Sequence, residues 1–311
     1  MNEIVPFLHG CRDIMESDGC ITPSRFSKNE RAFYENLAEF LKVRSMCTAG
    51  MSLQFETDVD VISMDCYFDF FMRDEATISV FENDMNTQVY KIRRDDRHIS
   101  FSYRRRMKSR SKIIIYFPSL CCMSFKNLNT KDLTALERKP RLMAVYGDSI
   151  SQGVEPNISS NSYTNILSRE LNCELINLSI GGFYFDESSL LNTIDDVDSI
   201  LIAYGTNDWT KKEIDEIEIN IEMFLKKIKI MYDRATIYCL SPLWRSDLGN
   251  GVDKMTKIAE KIRTECLKNN LTFIDGFKMM VHDKNLFRDK MLHPNDDGFL
   301  QISNNLLNII K

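Results

Sequence analysis

Four short polar segments in the second half of the chain carry side chains that could perform nucleophilic catalysis. They are Gly147-Asp148-Ser149, the stretch around Gly182, Gly205-Thr206-Asn207-Asp208, and the stretch that ends in His293-Pro294. A serine hydroxyl becomes a good nucleophile when an adjacent base takes its proton, and the pKa of an imidazole lies near neutral pH. Ser149 and His293 are therefore candidates for a nucleophile and its base, although Gly, Asp and Ser are also ordinary turn residues.

The elements around these segments follow an alternating pattern of strands and helices. Helix-length patterns lie at Asp215–Tyr232 and Asp253–Asn269, and a final amphipathic stretch runs from Gly298 to Ile310. The alternation predicts a parallel sheet covered by helices on both faces. Because open parallel sheets place their active sites at the carboxyl ends of their strands, the polar segments are expected to meet there. The strand-like runs are Leu142–Tyr146, Glu174–Ser179, Ser199–Tyr204, Ala235–Leu240 and Leu271–Ile274.

The first part of the chain has the periodicity of strands without intervening helices. Residues 51–126 contain short β-rich runs separated by Asp-, Asn- and Arg-rich turns, which predicts an antiparallel sandwich. Before them, the spacing of Asn29–Leu41 predicts one amphipathic helix. Residues 127–141 are polar and end near a proline, which indicates a linker or a short connecting helix. We therefore expect a sandwich domain with a partly helical start at residues 1–135 and a second domain at residues 136–311.

A basic run inside the predicted sandwich has two interpretations. It could bind nucleic acid, or it could be a charged hairpin whose cations protect a sheet edge. Few aromatic side chains interrupt the run, and the formal net charge of the whole chain is −5, which favours the hairpin. We expect neither a nucleic acid nor a membrane as partner. The run comprises Lys91, Arg93, Arg94, Arg97, Arg104, Arg105, Arg106, Lys108, Arg110 and Lys112.

The nine cysteines are scattered and show neither a Cys-x-x-Cys pair nor a spacing typical of zinc ligands. Several, such as Cys239, lie in apolar runs and are expected to be small core residues. The first residues lack the basic and apolar regions of a signal peptide, and no apolar run is long enough to cross a bilayer. These features predict a reduced, cytoplasmic protein without disulfides or a structural zinc site.

At this point the sequence resembles the SGNH/GDSL hydrolase superfamily. Gly147-Asp148-Ser149 is similar to its nucleophile block, Gly182 to its oxyanion glycine, Gly205-Thr206-Asn207-Asp208 to its Gly-x-Asn-Asp block, and His293-Pro294-Asn295 to its histidine block. The resemblance covers about residues 142–311. It implies an α/β fold, a flavodoxin-like three-layer α/β/α domain with a parallel sheet. A preceding jelly-roll-like β-sandwich makes the whole chain similar to carbohydrate esterase family 2.

The resemblance also implies a role for each residue. Ser149 would be the nucleophile and His293 its base, which returns the proton to the leaving alcohol. The oxyanion would be bound by the backbone N–H groups of Ser149 and Gly182 and by the side-chain amide of Asn207. Glycine suits the second position because no Cβ blocks the substrate, and asparagine suits the third because its amide donates without titrating.

The acid of the triad departs from the family pattern. The family usually has Asp-x-x-His, and Lys290 occupies that position here, with Asp289 one residue too early. Two arrangements remain open. Either the loop bulges so that Asp289 still reaches His293, or a backbone carbonyl orients the imidazole and the site is a Ser–His dyad.

The resemblance implies a serine esterase for small acyl esters that uses no metal and no cofactor, with acetylated saccharides as the leading substrate class. Phe183, Trp209 and Trp244 follow predicted strands and are candidates to bind the acyl or sugar group, although core packing explains them equally well. The alternatives are a lipid-type esterase, lysophospholipase or thioesterase using the same site, or a non-catalytic carbohydrate-binding protein. The sequence leaves the oligomeric state open.

Overall fold

The computed structural model describes residues 3–310, which form two compact units. The first unit consists of the chain up to Lys139 together with Asn157–Ser160, and the second consists of Pro140–Pro156 together with the chain from Asn161 onward. None of the helices within residues 3–310 combines the length and the hydropathy that crossing a membrane requires. The nine cysteines are all free thiols.

Two antiparallel sheets make up most of the first unit. Within the described residues, one sheet has the order β1-β4-β9-β6-β7 with β11 added to β4, and the other has the order β2-β3-β10-β5-β8. β11 arises from the predicted linker. The elements are β1 (Leu8–His9), β2 (Asp13–Ser17), β3 (Cys20–Ser24), α1 (Lys28–Leu37), α2 (Glu39–Met46), β4 (Ser52–Thr57), β5 (Val61–Asp69), β6 (Glu75–Glu82), β7 (Met85–Arg93), β8 (His98–Arg104), β9 (Ser111–Tyr116), β10 (Cys122–Lys126) and β11 (Leu133–Ala135).

The two sheets pack face to face, which confirms the predicted sandwich. In β5 the side chains alternate, so that Ile62, Met64 and Phe68 are buried while their neighbours are more exposed. Tyr103 on β8 of one sheet donates its hydroxyl to Glu82 on β6 of the other at 2.8 Å. Polar and apolar contacts therefore both join the layers.

The helical start of this unit differs from the prediction of one helix over Asn29–Leu41. Ser27 begins α1 with a capping box, in which its hydroxyl accepts from the Glu30 N–H and the Glu30 carboxylate accepts from the Ser27 N–H. At Ala38 the backbone is extended (φ −171°, ψ 146°), and a second helix follows. Leu37, Ala38 and Glu39 are all good helix formers, so the break has no signal in the local sequence.

The basic run does not form the predicted hairpin. β7 pairs with β6 in one sheet, whereas β8 pairs with β5 in the other. Each of the two strands nevertheless lies at the edge of its sheet. Lys91 and Arg93 of β7 and Arg104 of β8 therefore lie on two separate edges, where they oppose pairing with another chain.

The second unit contains the predicted parallel sheet with helices on both sides. Within residues 3–310 its strand order is β13-β12-β14-β15-β16, and all four pairings are parallel. Every predicted strand is present, with ends shifted by at most two residues; the sequence missed three shorter helices, α3, α4 and α5. The elements are β12 (Arg141–Gly147), α3 (Ser149–Gln152), α4 (Tyr163–Glu170), β13 (Cys173–Asn177), β14 (Ser199–Ala203), α5 (Thr206–Lys211), α6 (Ile214–Met231), β15 (Thr236–Leu240), α7 (Val252–Asn269), β16 (Thr272–Ile274) and α8 (Asp296–Leu307).

The core of the second unit lies on both faces of this sheet. Val145 of β12 belongs to a buried cluster with Leu167 of α4 and Phe299 of α8. The next residue, Tyr146, points to the other face, where its ring lies 6.5 Å from that of Phe224 on α6. Strands that are buried on both faces read as continuous apolar runs, which is why the sequence revealed them.

Candidate active site

Ser149 lies at the carboxyl end of β12, in the turn that begins α3. Asp148 caps this short helix by accepting the Ile150 N–H at 2.9 Å. Ser149 is the first helical residue, so its own N–H has no partner within the helix. Gly147 fits tightly before it, because a Cβ at this position would lie 2.4 Å from Ser151 Oγ. The turn therefore presents the Ser149 hydroxyl and N–H together at the edge of the sheet.

The imidazole of His293 lies beside this hydroxyl. Ser149 Oγ and His293 Nε2 are 3.0 Å apart, although their positions in the sequence are 144 residues apart. Ser149 is 9% exposed and the His293 side chain is 15% exposed, so both groups can be reached by a small molecule while most water is excluded. This is the hydrogen-bond distance that a general base needs.

Asp289 reaches the other nitrogen of the imidazole. Its Oδ2 lies 2.7 Å from His293 Nδ1. Its Oδ1 accepts the backbone N–H groups of Met291, Leu292 and His293 at 2.9, 2.8 and 3.1 Å. Lys290 adopts a left-handed conformation (φ +60°), which bends the loop and accommodates the extra residue between the acid and the histidine.

These hydrogen bonds determine the charge state of Asp289. Partial burial acts to raise the pKa of the carboxyl, but the N–H groups of Leu292 and Met291 and the His293 ring lower it below its usual value. The carboxylate is therefore ionised at neutral pH and can accept a hydrogen bond from the Nδ1–H group of His293.

The loop of Gly182 follows β13 and contacts α5. Gly182 has a positive φ of 77°, and the side-chain amide of Asn207 donates to the Phe183 carbonyl at 2.8 Å. An asparagine amide has two N–H groups, so one remains for another acceptor. Gly205, with φ +113°, precedes α5 and lies against Pro242, where a Cβ would come within 2.6 Å of the proline Cγ.

The three aromatic candidates for substrate binding have different surroundings. Phe183 is 1% exposed and its ring packs against Tyr184 and Tyr204, so its position is that of a core residue. Trp244 is partly exposed and stacks on His282 with 4.9 Å between ring centroids. Trp209 is also partly exposed, and the guanidinium of Arg245 lies 4.7 Å from its ring centroid.

Arg245 has a buried side chain that forms a two-point ion pair. Its Nε and Nη2 lie 2.5 and 2.7 Å from the two carboxylate oxygens of Asp247. The next residue, Ser246, donates its hydroxyl to the Lys290 carbonyl at 2.6 Å. The loop after β15 is thus attached to the loop that carries Asp289 and His293.

Two further carboxyl groups are buried close to the site. Asp148 is 4% exposed and Asp208 is fully buried. Burial raises the pKa of each to about 7, against the opposing effect of backbone N–H groups that donate to them. Sequence reasoning missed Gln152, whose Oε1 accepts the Gly181 N–H at 2.7 Å. A glutamine in a short turn gives no signal that would have identified it.

The family model described as the GDSL-like lipase/acylhydrolase family matches residues 145–299, a range that contains Ser149, Gly182, Asn207, Asp289 and His293. No curated protein matches the chain.

Several solved structures are similar over most of the chain. The salicylyl-acyltransferase SsfX3 from a tetracycline biosynthetic pathway has a TM-score of 0.79 at 17% identity, covering 97% of this chain and 95% of that one. A family two carbohydrate esterase from Clostridium thermocellum, in complex with cellohexaose, has 0.66 at 14%, with 85% and 93% covered. The acetyl xylan esterase Est2A from Butyrivibrio proteoclasticus has 0.59 at 14%, with 83% and 88% covered. At these identities the similarity shows the shared fold.

Proposed function

Residues 145–299 belong to the GDSL-like lipase/acylhydrolase family, and from this premise we propose that the protein is a serine esterase for small acyl esters. The observation that carries the proposal is the series of hydrogen bonds from Asp289 through His293 to Ser149, with distances of 2.7 and 3.0 Å. A carbohydrate-binding protein without catalytic activity has no need of such a series.

The reaction follows from these contacts. His293 Nε2 takes the proton of the Ser149 hydroxyl as Oγ attacks the ester carbonyl carbon, and a tetrahedral intermediate forms. Asp289 holds the imidazole by Nδ1 and stabilises the imidazolium that results. When the intermediate collapses, the bond to the alcohol breaks and His293 protonates the leaving oxygen. Water then attacks the acyl-enzyme, with His293 again acting as base, and releases the carboxylic acid.

Three donors are proposed to bind the oxyanion: the N–H of Ser149, the N–H of Gly182 and the amide of Asn207. The first belongs to the first residue of α3, where an N–H has no partner within the helix, and the second belongs to a glycine with no side chain to block a substrate. The third keeps one N–H beyond its bond to Phe183. Such fixed donors stabilise the charge that develops during the reaction, and losing one typically costs a factor of about 10² to 10³ in rate.

An acetyl group on a saccharide is the proposed substrate. The fold likeness to a carbohydrate esterase that binds cellohexaose and to an acetyl xylan esterase supports this choice. Trp209 and Trp244 are the proposed sugar-stacking side chains, whereas the burial of Phe183 gives it no such role. The proposal also treats residues 1–135 as an accessory domain and residues 136–311 as the catalytic domain.

Replacing the nucleophile tests the proposed reaction. We expect Ser149→Ala to lose at least about 10³-fold of the p-nitrophenyl acetate hydrolysis of the natural protein, because the variant lacks the hydroxyl that lies 3.0 Å from His293 Nε2. Ser188→Ala is the matched control, since that serine is exposed and its hydroxyl bonds only to the Asp186 side chain in the part of the chain described. Equal activity of both variants would contradict the proposal.

The substrate class is tested separately with the same protein. Acetyl esters should be turned over faster than octanoyl esters, and acetate should be released from acetylated oligosaccharides. Faster turnover of octanoyl esters would favour a lipid-type esterase, and cleavage of acyl-thioesters would favour a thioesterase. Products that carry the acyl group on an added alcohol would show transfer, the reaction named for SsfX3.

A further inference from the structure

The loop of residues 181–185 is held by side chains that approach from two different helices. From α3, Gln152 extends its Oε1 to the Gly181 N–H at 2.7 Å. Gln152 is fully buried and lies three residues after Ser149 on the same short helix. A buried amide is costly unless it is hydrogen-bonded. A leucine or methionine would fill the same volume at a lower cost, so the polar group at this position has a specific partner.

From α5, the side chains of Asn207, Asp208 and Lys211 bind the same loop. The Asp208 carboxylate oxygens lie 3.3 and 3.4 Å from the Phe185 N–H, and Asp208 is fully buried. Asn207 donates to the Phe183 carbonyl, and Lys211 donates its ammonium to the Gly182 carbonyl at 2.6 Å.

These bonds surround the peptide that contains the Gly182 N–H. The Gly181 N–H is bound on one side of it and the Phe185 N–H on the other, and the Ile180 N–H is bound by the Gly147 carbonyl at 2.8 Å. Gly182 itself has a left-handed φ of 77°, so the backbone leaves the path of a regular strand at this residue. With both flanks fixed, the direction of this N–H relative to Ser149 and Asn207 is fixed as well.

We propose that Gln152 and Asp208 are positioning residues that hold the Gly182 N–H in line with the oxyanion donors on α3 and α5. The inference rests on the proposed esterase function. Gln152 connects the loop to the helix of the nucleophile, and Asp208 connects it to the helix of the third donor. Neither residue touches the substrate. Fixed donors stabilise a transition state because they need no reorganisation when the charge develops.

The first test replaces Gln152 with side chains that keep or lose its acceptor. Gln152→Met keeps the approximate volume and loses the acceptor, and we expect kcat for p-nitrophenyl acetate to fall about 10- to 100-fold with KM changed less than about twofold. Gln152→Glu keeps an oxygen at the same place and should recover at least part of this loss. Asp208→Ala should act in the same direction as Gln152→Met, and Asp208→Asn, which keeps an acceptor oxygen, should be milder.

The chain offers a matched control in Gln301. Its Oε1 also accepts a backbone N–H, that of Val281 at 3.1 Å, but it lies on α8 and has no bond to residues 181–185 among the described residues. Gln301→Met should keep kcat within about twofold. The melting temperature of each variant shows whether the fold is retained, so a loss of kcat in a folded variant is not a loss of structure.

Amide hydrogen exchange over residues 178–187 gives a readout that does not depend on catalysis. It should accelerate in Gln152→Met and in Asp208→Ala, and it should be unchanged in Gln301→Met. If the natural protein is an esterase and Gln152→Met changes neither kcat nor the hydrogen exchange of this loop, only the positioning role is overturned. A natural protein that hydrolyses no ester would instead overturn the proposed function and the catalytic part of this inference with it.

Discussion

The carboxylate of Asp289 is the residue whose role the sequence left open and whose surroundings are now described. One oxygen accepts three backbone N–H groups of its own loop, and the other lies beside the imidazole of His293. The sequence identified Asp289 as a candidate, but the spacing alone could not decide between a triad and a dyad. The left-handed φ of Lys290 lets the loop bring the Asp289 carboxylate to the imidazole, and a lysine adopts this conformation rarely, so no sequence pattern indicated it.

The role of Asp289 can be measured by replacing it with asparagine. We expect Asp289→Asn to keep the loop, because Oδ1 remains an acceptor, but to present an NH₂ group to His293 Nδ1 and so favour the wrong tautomer. A loss of kcat on the order of 10³- to 10⁴-fold follows if the carboxylate acts as in serine proteases. Asp297→Asn, an exposed position in the first turn of α8, serves as the control and should keep kcat within about twofold. If Asp289→Asn loses only a few-fold, a Ser–His dyad is the better description.

At the scale of elements, the short turn between β12 and α3 determines where Ser149, the proposed nucleophile, lies. The strand itself was predictable, because Met143, Ala144 and Val145 are all buried and form an apolar run. Helix α4 was not predictable by the same means. It has only 8 residues, fewer than the window in which a helical period can be recognised, and its buried residues Tyr163–Leu167 include the polar Thr164 and Asn165.

Gly147→Ala tests how tightly the turn is packed. The added methyl would lie 2.4 Å from Ser151 Oγ, 2.6 Å from Ser151 Cβ and 3.1 Å from the Ala203 carbonyl oxygen, so α3 must move. We expect the free energy of unfolding to fall by about 1–3 kcal/mol, as for other overpacked sites, and kcat to fall because Ser149 moves with the helix. Denaturant unfolding and ester hydrolysis measure the two effects. Gly19→Ala, with no atom within 4 Å of its Cβ, should leave kcat unchanged; unaltered activity in both variants would show that the turn tolerates the shift.

At the scale of the molecule, the sequence predicted the type of sheet in each unit better than which strands pair within it. The change from strand periodicity to alternating strands and helices separated a sandwich from a parallel sheet. It did not reveal that β7 and β8, which are adjacent in sequence, belong to different sheets. Pairing between distant strands depends on contacts that a local pattern does not contain.

The buried carboxyl groups predict how the stability of the whole molecule depends on pH. Burial raises the pKa of Asp208 from 3.8 to about 7 in the folded state. Between about pH 4 and pH 7 the folded state therefore binds more protons than the unfolded state, and its stability falls as the pH rises. Asp148 acts in the same direction. Asp289 acts oppositely, but its lowered pKa confines that effect to pH values below about 4.

Asp208→Asn should flatten this pH dependence. The folded-state stability lost between pH 4 and pH 7 should shrink by an amount on the order of 1–4 kcal/mol, because the neutral amide has no proton to lose. Chemical denaturation of the natural protein and the variant at several pH values measures the difference. Asp297 is exposed, so Asp297→Asn should keep the pH dependence of stability of the natural protein. The same pH dependence in Asp208→Asn would show that Asp208 is ionised over this whole pH range.

The short segment Asn157–Ser160 has a consequence for how the chain can be divided. It belongs to the sandwich unit although it follows the first strand of the second unit, and Ser159 is bound there to the Thr77 hydroxyl and carbonyl and to the Ser119 N–H. A first half that ends at Lys139 would therefore contain the buried residues Thr77 and Ser119 without these hydrogen-bond partners. The second half would carry Asn157–Ser160 without the residues of the first unit that this segment binds. Because the chain returns to the first unit after it has begun the second, no single cut divides it into two complete units.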